Sequence, residues 1–147
     1  MIIEMSIVTD LAKAIVAELN QHEFMMPFEA AYSVRSSFDL TKLDTLHVAV
    51  VPKELEIDNI SRSSSKYAAS IDIGISQRIG DRTPEEAVEV LGDLVEEIAE
   101  HLKETPLQQF PAAQCQGISF DPIYIPDHLH GQRIFTSVLN VKYIMRD

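Results

Sequence analysis

Several residue types and motifs that mark common protein classes are scarce or missing in this 147-residue chain. Its one cysteine, Cys115, excludes an internal disulfide and fits a reducing compartment. The five glycines stand singly, so there is no glycine-rich phosphate loop, and no Gly-x-Ser-x-Gly elbow occurs. No apolar run approaches the roughly 18 residues that a transmembrane helix needs. These absences argue against a disulfide scaffold, a P-loop enzyme, an α/β-hydrolase and a membrane protein.

Basic residues are also few. Twelve Lys and Arg stand against 23 Asp and Glu, which gives a net charge of −11, and the basic residues are scattered. Proteins that grip nucleic acid cluster Lys and Arg against the phosphates, so specific DNA or RNA binding is not expected. The acidic excess has two interpretations. It keeps the surface soluble, or it forms an acidic wall past which DNA moves without sticking.

The clearest element in the chain is a helix over residues 83–104. Thr83 is a favourable N-cap, Pro84 suits the first helical position, and Glu86 completes a capping box. Apolar residues recur every three or four positions and predict one buried stripe, made of Ala87, Val88, Leu91, Leu94, Val95, Ile98, Ala99 and Leu102. The acidic residues that we expect to face solvent are Glu85, Glu89, Asp93, Glu96 and Glu100.

The remaining pattern predicts a second helix and five strands. The helix spans residues 6–21, and the strands span residues 28–38, 46–51, 67–79, 118–125 and 134–145. The polar turn after the first strand favours antiparallel pairing with the second, which Pro52 ends or places at an edge. Residues 53–66 are predicted to form a long mobile loop, and residues 126–133 a turn. This order predicts a single α+β domain over residues 1–147, with both helices on one face of a mostly antiparallel sheet of about five strands.

The sequence offers few candidates for catalysis. Asp127, His128 and His130 form a metal-like cluster, but a zinc site needs three or four ligands with a second cluster at suitable spacing. We therefore expect these residues to form the exposed turn between the last two strands, with neither metal nor cofactor. Asp72 and Arg78 fall on the polar face of their strand, so no polar residues converge on the predicted apolar faces. The prediction is a non-enzymatic protein, and the alternative is an enzyme or ligand-binding domain with a pocket between helix and sheet.

Four stretches of the chain resemble the tail-terminator (tail-completion) proteins of long-tailed bacteriophages. They are the strand LDTLHVAVVP, the serine-rich segment and strand SRSSSKYAASIDIGISQRI, the acidic helix TPEEAVEVLGDLVEEIAEHL and the C-terminal strand IFTSVLNVKYIMRD. Together these stretches cover 63 of the 147 residues. The likeness lies in the order of elements and in a few residue types rather than in one sharp signature.

The resemblance implies a structural role in the virion. Such proteins form hexameric rings that cap the tail tube, stop its polymerisation and present a surface to the head, without catalytic residues. The implied partners are further copies of the chain, the tail-tube protein and a head-completion or neck protein, assembled in the cytoplasm of the host bacterium. Six copies carry a charge of about −66, and an acidic lumen lined by the helix carboxylates would let DNA pass without specific binding.

Within this interpretation, two segments are the predicted contacts with other subunits or with the tube. The first is the segment 53–66, including Arg62, Ser63 and Lys66. The second is the turn expected between the last two strands, including His128, His130 and Arg133. A related neck or tail-tube protein remains an alternative, because strand-rich assembly proteins share these features. An acidic adaptor dimer unrelated to phages is a further one.

Overall fold

The computed structural model describes residues 7–34, 45–120 and 123–146. These residues form a five-stranded sheet with two long helices and one short helix. In chain order the elements are α1 (Ile7–Gln21), β1 (Glu29–Tyr32), β2 (His47–Asn59), β3 (Ser65–Arg78), α2 (Pro84–Glu104), β4 (Gln114–Phe120), α3 (Pro126–Gly131) and β5 (Ile134–Arg146). The strand order is β1-β2-β3-β5-β4, and all neighbouring pairs except β1–β2 are antiparallel. The predicted α+β class with a mostly antiparallel sheet is confirmed.

The core lies between one face of the sheet and the two long helices. Alternate residues of β3, namely Ile71, Ile73 and Ile75, are fully buried, because the strand period of two turns them all toward the helices. They belong to one hydrophobic cluster with Ile15 and Leu19 of α1 and with the apolar stripe of α2. Each fully buried isoleucine or leucine stabilises the fold by roughly 1.5–3 kcal/mol.

The α2 helix begins and ends where the sequence predicts. The Thr83 hydroxyl accepts a hydrogen bond from the Glu86 backbone N–H at 3.1 Å, and the Thr83 N–H donates to the Glu86 carboxylate at 3.5 Å, which completes the capping box. At the other end, the Thr105 N–H donates to the His101 carbonyl at 3.0 Å. The next residue is Pro106, and a residue that precedes proline avoids helical angles. The predicted α1, β3 and β5 are confirmed to within about two residues.

The pairing of the first two strands corrects one prediction. β1 and β2 are parallel, with Glu29 beside His47 and Tyr32 beside Val50, rather than antiparallel. A parallel pair needs a crossover of a dozen or more residues, and residues 33–46 supply that length. β1 is also shorter than predicted, because it ends at Tyr32. The predicted turn at residues 39–45 and the end of the predicted strand at residues 35–38 lie almost wholly outside the described residues.

The second correction concerns β2, which continues through Pro52 to Asn59. β1 pairs with β2 only as far as Val50, so beyond this point the described strands leave one side of β2 as an edge. A proline is tolerated at an edge, and the register shift between Pro52 and Glu54 absorbs the irregularity. The predicted long loop at residues 53–66 is therefore wrong. Only residues 60–64 form the turn of a β2–β3 hairpin, closed by the Ile60 N–H, which donates to the Ser64 carbonyl at 3.0 Å.

The last part of the chain differs from the prediction in detail. Residues 126–131 form the short helix α3 rather than a turn, with Pro126 at its first position and Leu129 buried beneath it. β4 begins at Gln114, four residues earlier than predicted, and its register shifts between Cys115 and Gly117. The predicted break at positions 121–122 lies outside the described residues. The predicted antiparallel pairing of these last two strands is confirmed.

Candidate assembly surfaces

The end of the β2–β3 hairpin exposes apolar side chains. We call residues 57–64 the hairpin tip. Ile57 is 58% exposed and Ile60 is 54% exposed, although isoleucine is usually buried. The turn itself is held by hydrogen bonds: the Ser61 and Ser64 hydroxyls lie 2.9 Å apart, and the Ser61 N–H donates to the Ser64 carbonyl at 3.2 Å. The tip is thus a hydrogen-bonded turn at one end of the sheet with exposed apolar side chains.

The first predicted contact set is divided by the fold. Arg62 and Ser63 are exposed at the turn of the hairpin tip. Lys66 lies inside β3, half-buried, where it pairs with Asp58 on one side and Arg146 on the other. Three basic and three acidic residues occupy the segment 53–66, so the hairpin is neutral in a chain of charge −11.

The second predicted contact set lies around α3. The His128 Nδ1 atom is 2.9 Å from the Thr136 hydroxyl, which ties α3 to β5, whereas Asp127 and His130 are exposed. Within residues 7–34, 45–120 and 123–146, no group of three His, Cys, Asp or Glu side chains is placed to hold a metal ion.

Arg133 has a role inside the subunit that the sequence did not indicate. Its Nη2 atom donates to the Gly80 carbonyl at 2.7 Å and to the Arg82 carbonyl at 3.0 Å. Its own carbonyl accepts from the Ile79 N–H at 3.0 Å. The backbone of Arg133 has a φ of 54°, which costs a residue other than glycine energy. Arg133 therefore holds the turn between β3 and α2.

The two contact sets lie at opposite ends of the sheet. At one end of β3, Arg78 pairs with Ile134, next to Arg133; at the other end, Ser65 pairs with Asn59 of the hairpin. β3 has 14 residues, so these ends are about 40 Å apart at roughly 3.3 Å per residue. The structure thus does not bring the six predicted residues into one patch.

The acidic face of α2 is exposed along its length. The helix carries eight acidic residues and one lysine, which gives −7 of the chain's −11. The five predicted carboxylates, Glu85, Glu89, Asp93, Glu96 and Glu100, all belong to exposed residues. Three of them, Asp93, Glu96 and Glu100, line an open groove of about 950 Å³ between α2 and β4, whose apolar lining includes Ile118 and Phe120. We call this the acidic groove.

Cys115 also lines the acidic groove and is half-buried. Burial raises the pKa of its thiol, while a hydrogen bond with the Gly117 backbone and the charge of Lys103 act in the opposite direction. A raised pKa keeps the thiol protonated near neutral pH, and the protonated form is a poor nucleophile.

A polar cluster between α1 and α2 was missed by the sequence analysis. Glu18 is 6% exposed, and one of its carboxylate oxygens lies 2.8 Å from the His101 Nε2 atom. The His101 Nδ1 atom is 3.4 Å from the Thr105 hydroxyl, and the His22 ring stacks on the His101 ring at 3.9 Å. Glu18 follows Ile15 at helical spacing, so its place on the buried stripe was readable from the sequence.

The chemistry open to this cluster is limited by its burial. The side chains of His101 and Glu18 are 13% and 7% exposed, and neither residue lines the acidic groove. The arrangement joins the two helices. Asp72 and Arg78 lie on the other sheet face, as predicted, where Asp72 accepts a hydrogen bond from the Asn140 amide at 2.9 Å and lies 3.6 Å from the Lys53 ammonium.

A second groove lies in the connection between α1 and β1. It has a volume of about 360 Å³, and we call it the aromatic groove; its lining residues are Leu19, His22, Glu23, Phe24, Met26, Pro27 and Phe28. The rings of Phe24 and Phe28 are 5.3 Å apart. The Met25 N–H donates to the Glu97 carboxylate of α2 at 2.9 Å, which fixes the connection in place. The sequence analysis did not identify this surface, because the segment has no periodic pattern.

Comparison of the chain with models of known protein families and with curated proteins finds no match. Among the residues that the structure describes, no helix is long and apolar enough to cross a membrane. What the molecule does must therefore be inferred from its fold and its exposed surfaces.

Proposed function

We propose that the chain is a non-enzymatic subunit of a bacteriophage or prophage virion, which caps the tail tube as a ring and forms the surface for head joining. The observation that carries this proposal is the hairpin tip, a hydrogen-bonded turn at one end of the sheet with two exposed isoleucines. Apolar side chains exposed close together at one end of a sheet are a candidate surface for another protein to cover. The resemblance to tail-terminator proteins supplies the identity of the assembly.

The shape of the subunit supports a contact between two different surfaces. The hairpin tip lies at one end of the sheet, and the α3 end lies about 40 Å away. A contact that joins two different patches is heterologous, and such contacts build a ring when the rotation closes.

The charge distribution supports the same proposal. The α2 helix carries −7, whereas the hairpin is neutral. A contact made through the neutral hairpin adds no charge repulsion from that surface, and six exposed acidic helices around a lumen would keep DNA from adhering to the wall.

Deleting the gene from the phage or prophage genome that encodes it tests the proposal. Electron microscopy of the induced particles should show tail tubes of uncontrolled length and unattached heads, and a plasmid copy should restore normal virions. Tubes of normal length with unattached heads would instead favour a neck protein. Normal virions without the gene, or a genome without neighbouring major tail and tape-measure genes, would contradict the proposal.

The oligomeric state offers a second measurement. Six copies of 16.5 kDa give a ring of about 99 kDa, which native mass spectrometry can detect alone or together with the tube protein. A stable dimer under both conditions would favour the adaptor alternative.

A further inference from the structure

We propose that the hairpin tip of one copy seats in the aromatic groove of the neighbouring copy. This inference rests on the proposed function, because it names the two surfaces that would join the subunits of the ring. It commits the aromatic groove to one occupant, a second copy of this chain.

The hairpin tip has exposed apolar side chains that could enter an apolar groove. Ile57 and Ile60 are more than half exposed, and the turn between the strands is already ordered by the hydrogen bonds of Ser61 and Ser64. An ordered turn loses little conformational entropy when it binds. Arg62 adds one exposed cation at the end of the turn.

The aromatic groove has an apolar lining that suits the side chains of the tip. Phe24, Met26 and Phe28 give it an apolar lining, and its volume of about 360 Å³ exceeds that of an isoleucine side chain. Glu23 is exposed at the groove and offers one carboxylate to the single arginine of the tip. The two surfaces thus agree in polarity, and Arg62 and Glu23 offer one pair of opposite charges between them.

The acidic groove is a poorer match for the same tip. Four carboxylates, from Asp93, Glu96, Glu97 and Glu100, line it with one lysine. The tip is neutral, with Asp58 and Arg62, and its exposed Ile57 and Ile60 would have to pack against these charged side chains. Covering charged groups with apolar side chains removes their hydration without giving them partners, so this lining opposes binding of the tip.

The occupant must come from another copy, because one subunit cannot fold its own tip into its own groove. Phe28 of the groove precedes Glu29, which pairs with His47 at the start of β2, whereas the tip begins where β2 ends. β2 has 13 residues, so the two surfaces are about 40 Å apart. Each copy then has one tip to give and one groove to receive, which is a heterologous contact.

Disulfide cross-linking tests the contact in assembled particles. In a Cys115→Ser background, the pair Ile60→Cys and Met25→Cys places one thiol on the tip and one between Phe24 and Met26 of the aromatic groove, because Met25 separates these two lining residues and is 53% exposed. The variant is supplied from a plasmid to the gene-deleted phage, and the particles are oxidised. We expect a ladder of covalent oligomers beyond the dimer, because each copy carries both halves of the contact.

The matched control pairs Ile60→Cys with Gln116→Cys, an exposed residue of the acidic groove. Each single-cysteine variant should give dimers at most. A ladder from the Gln116→Cys pair and none from the Met25→Cys pair would place the tip in the acidic groove and overturn the proposal. If the Ile60→Cys variants do not assemble, Ile57→Cys replaces Ile60→Cys in both pairs.

Charge reversal provides an independent test. Arg62→Glu and Glu23→Arg should each weaken association of the subunits up to about fivefold, and the double variant should restore most of it. Ile60→Asp should weaken association by more than about tenfold without changing the thermal unfolding of the subunit, because Ile60 is already exposed. Singles that have no effect, or a double variant that is no better than the singles, would contradict the contact.

The outcomes separate this inference from the proposed function. Rings or normal virions that form without a Met25–Ile60 ladder would refute the contact and leave the function standing. Normal tails in the absence of the gene would refute the function and, with it, the contact.

Discussion

Replacing Tyr143 with phenylalanine should stabilise the protein, although Tyr143 is among its most deeply buried residues. The residue is 1% exposed, and its hydroxyl has no hydrogen-bond partner among the described residues. A buried hydroxyl without a partner costs about 1–3 kcal/mol, and phenylalanine keeps the ring and its packing. We expect Tyr143→Phe to raise the free energy of unfolding by about 1 kcal/mol at pH 8, since the small void left by the oxygen offsets part of the gain.

The advantage of the phenylalanine should grow as the pH rises. Burial raises the pKa of the Tyr143 hydroxyl, and the charges of Cys115 and Glu18 raise it further. Above about pH 10 the unfolded chain releases this proton while the folded protein keeps it, so rising pH favours unfolding of the wild type. From this group alone, the unfolding equilibrium constant increases up to about tenfold per pH unit. Tyr143→Phe removes this contribution.

Urea unfolding followed by circular dichroism at pH 8 to 11, at one protein concentration, measures both effects. Both proteins carry Cys115→Ser, because the charge of Cys115 also acts on Tyr143, and the other tyrosines titrate in both, so their contributions cancel in the difference. Tyr124→Phe is the control, because Tyr124 is only half-buried and should give a small change. If Tyr143→Phe is less stable than the wild type at pH 8, the Tyr143 hydroxyl does have a hydrogen-bond partner and the reasoning is refuted. A difference that stays constant up to pH 11 would refute the raised pKa.

Three further predictions concern local features. Thr83→Ala should cost about 1 kcal/mol and lower the melting temperature by about 2–4 °C through loss of the capping box, whereas Thr83→Ser should not; equal losses would contradict the capping role. Arg133→Gly should be less destabilising than Arg133→Ala. Both variants lose the hydrogen bonds to the β3–α2 turn, but glycine adopts the φ of 54° without strain. Calorimetry that shows the reverse order of stability would contradict backbone strain at Arg133. At pH 8 iodoacetamide should alkylate Cys115 more slowly in the folded protein than in urea, and equal rates would show an accessible thiolate.

The elements that the sequence predicted well are those whose pattern is local. The capping box of α2 and the alternation of β3 each depend on residues a few positions apart, and both are found in the structure as expected. The pairing direction of β1 and β2 could not be predicted in this way. It depends on how the chain connects Tyr32 to His47, and a polar segment in the sequence between them does not determine which way the second strand runs.

The candidate surfaces were predicted less well than the fold. Leu55 and Ile57 alternate with acidic residues, which is the pattern of a strand, but the preceding proline and the following serines are more typical of a loop. The role of Arg133 depends on carbonyl groups more than 50 positions away, which no local pattern reveals. Glu18 is the opposite case, because its position on an apolar stripe is visible in the sequence alone.

Pro52 bears on aggregation of this chain through its exposed strand edge. Beyond Val50, β2 is an open edge among the described strands, and a long flat edge is a template for aggregation. Pro52 removes one backbone donor, and the bulge beside it breaks the regular spacing of the others. Charged Lys53, Glu54 and Glu56 follow along the same edge. Pro52, which in the sequence looks like the end of a strand, thus opposes edge-to-edge strand pairing between copies. Association between copies then depends on side-chain contacts rather than on backbone hydrogen bonds.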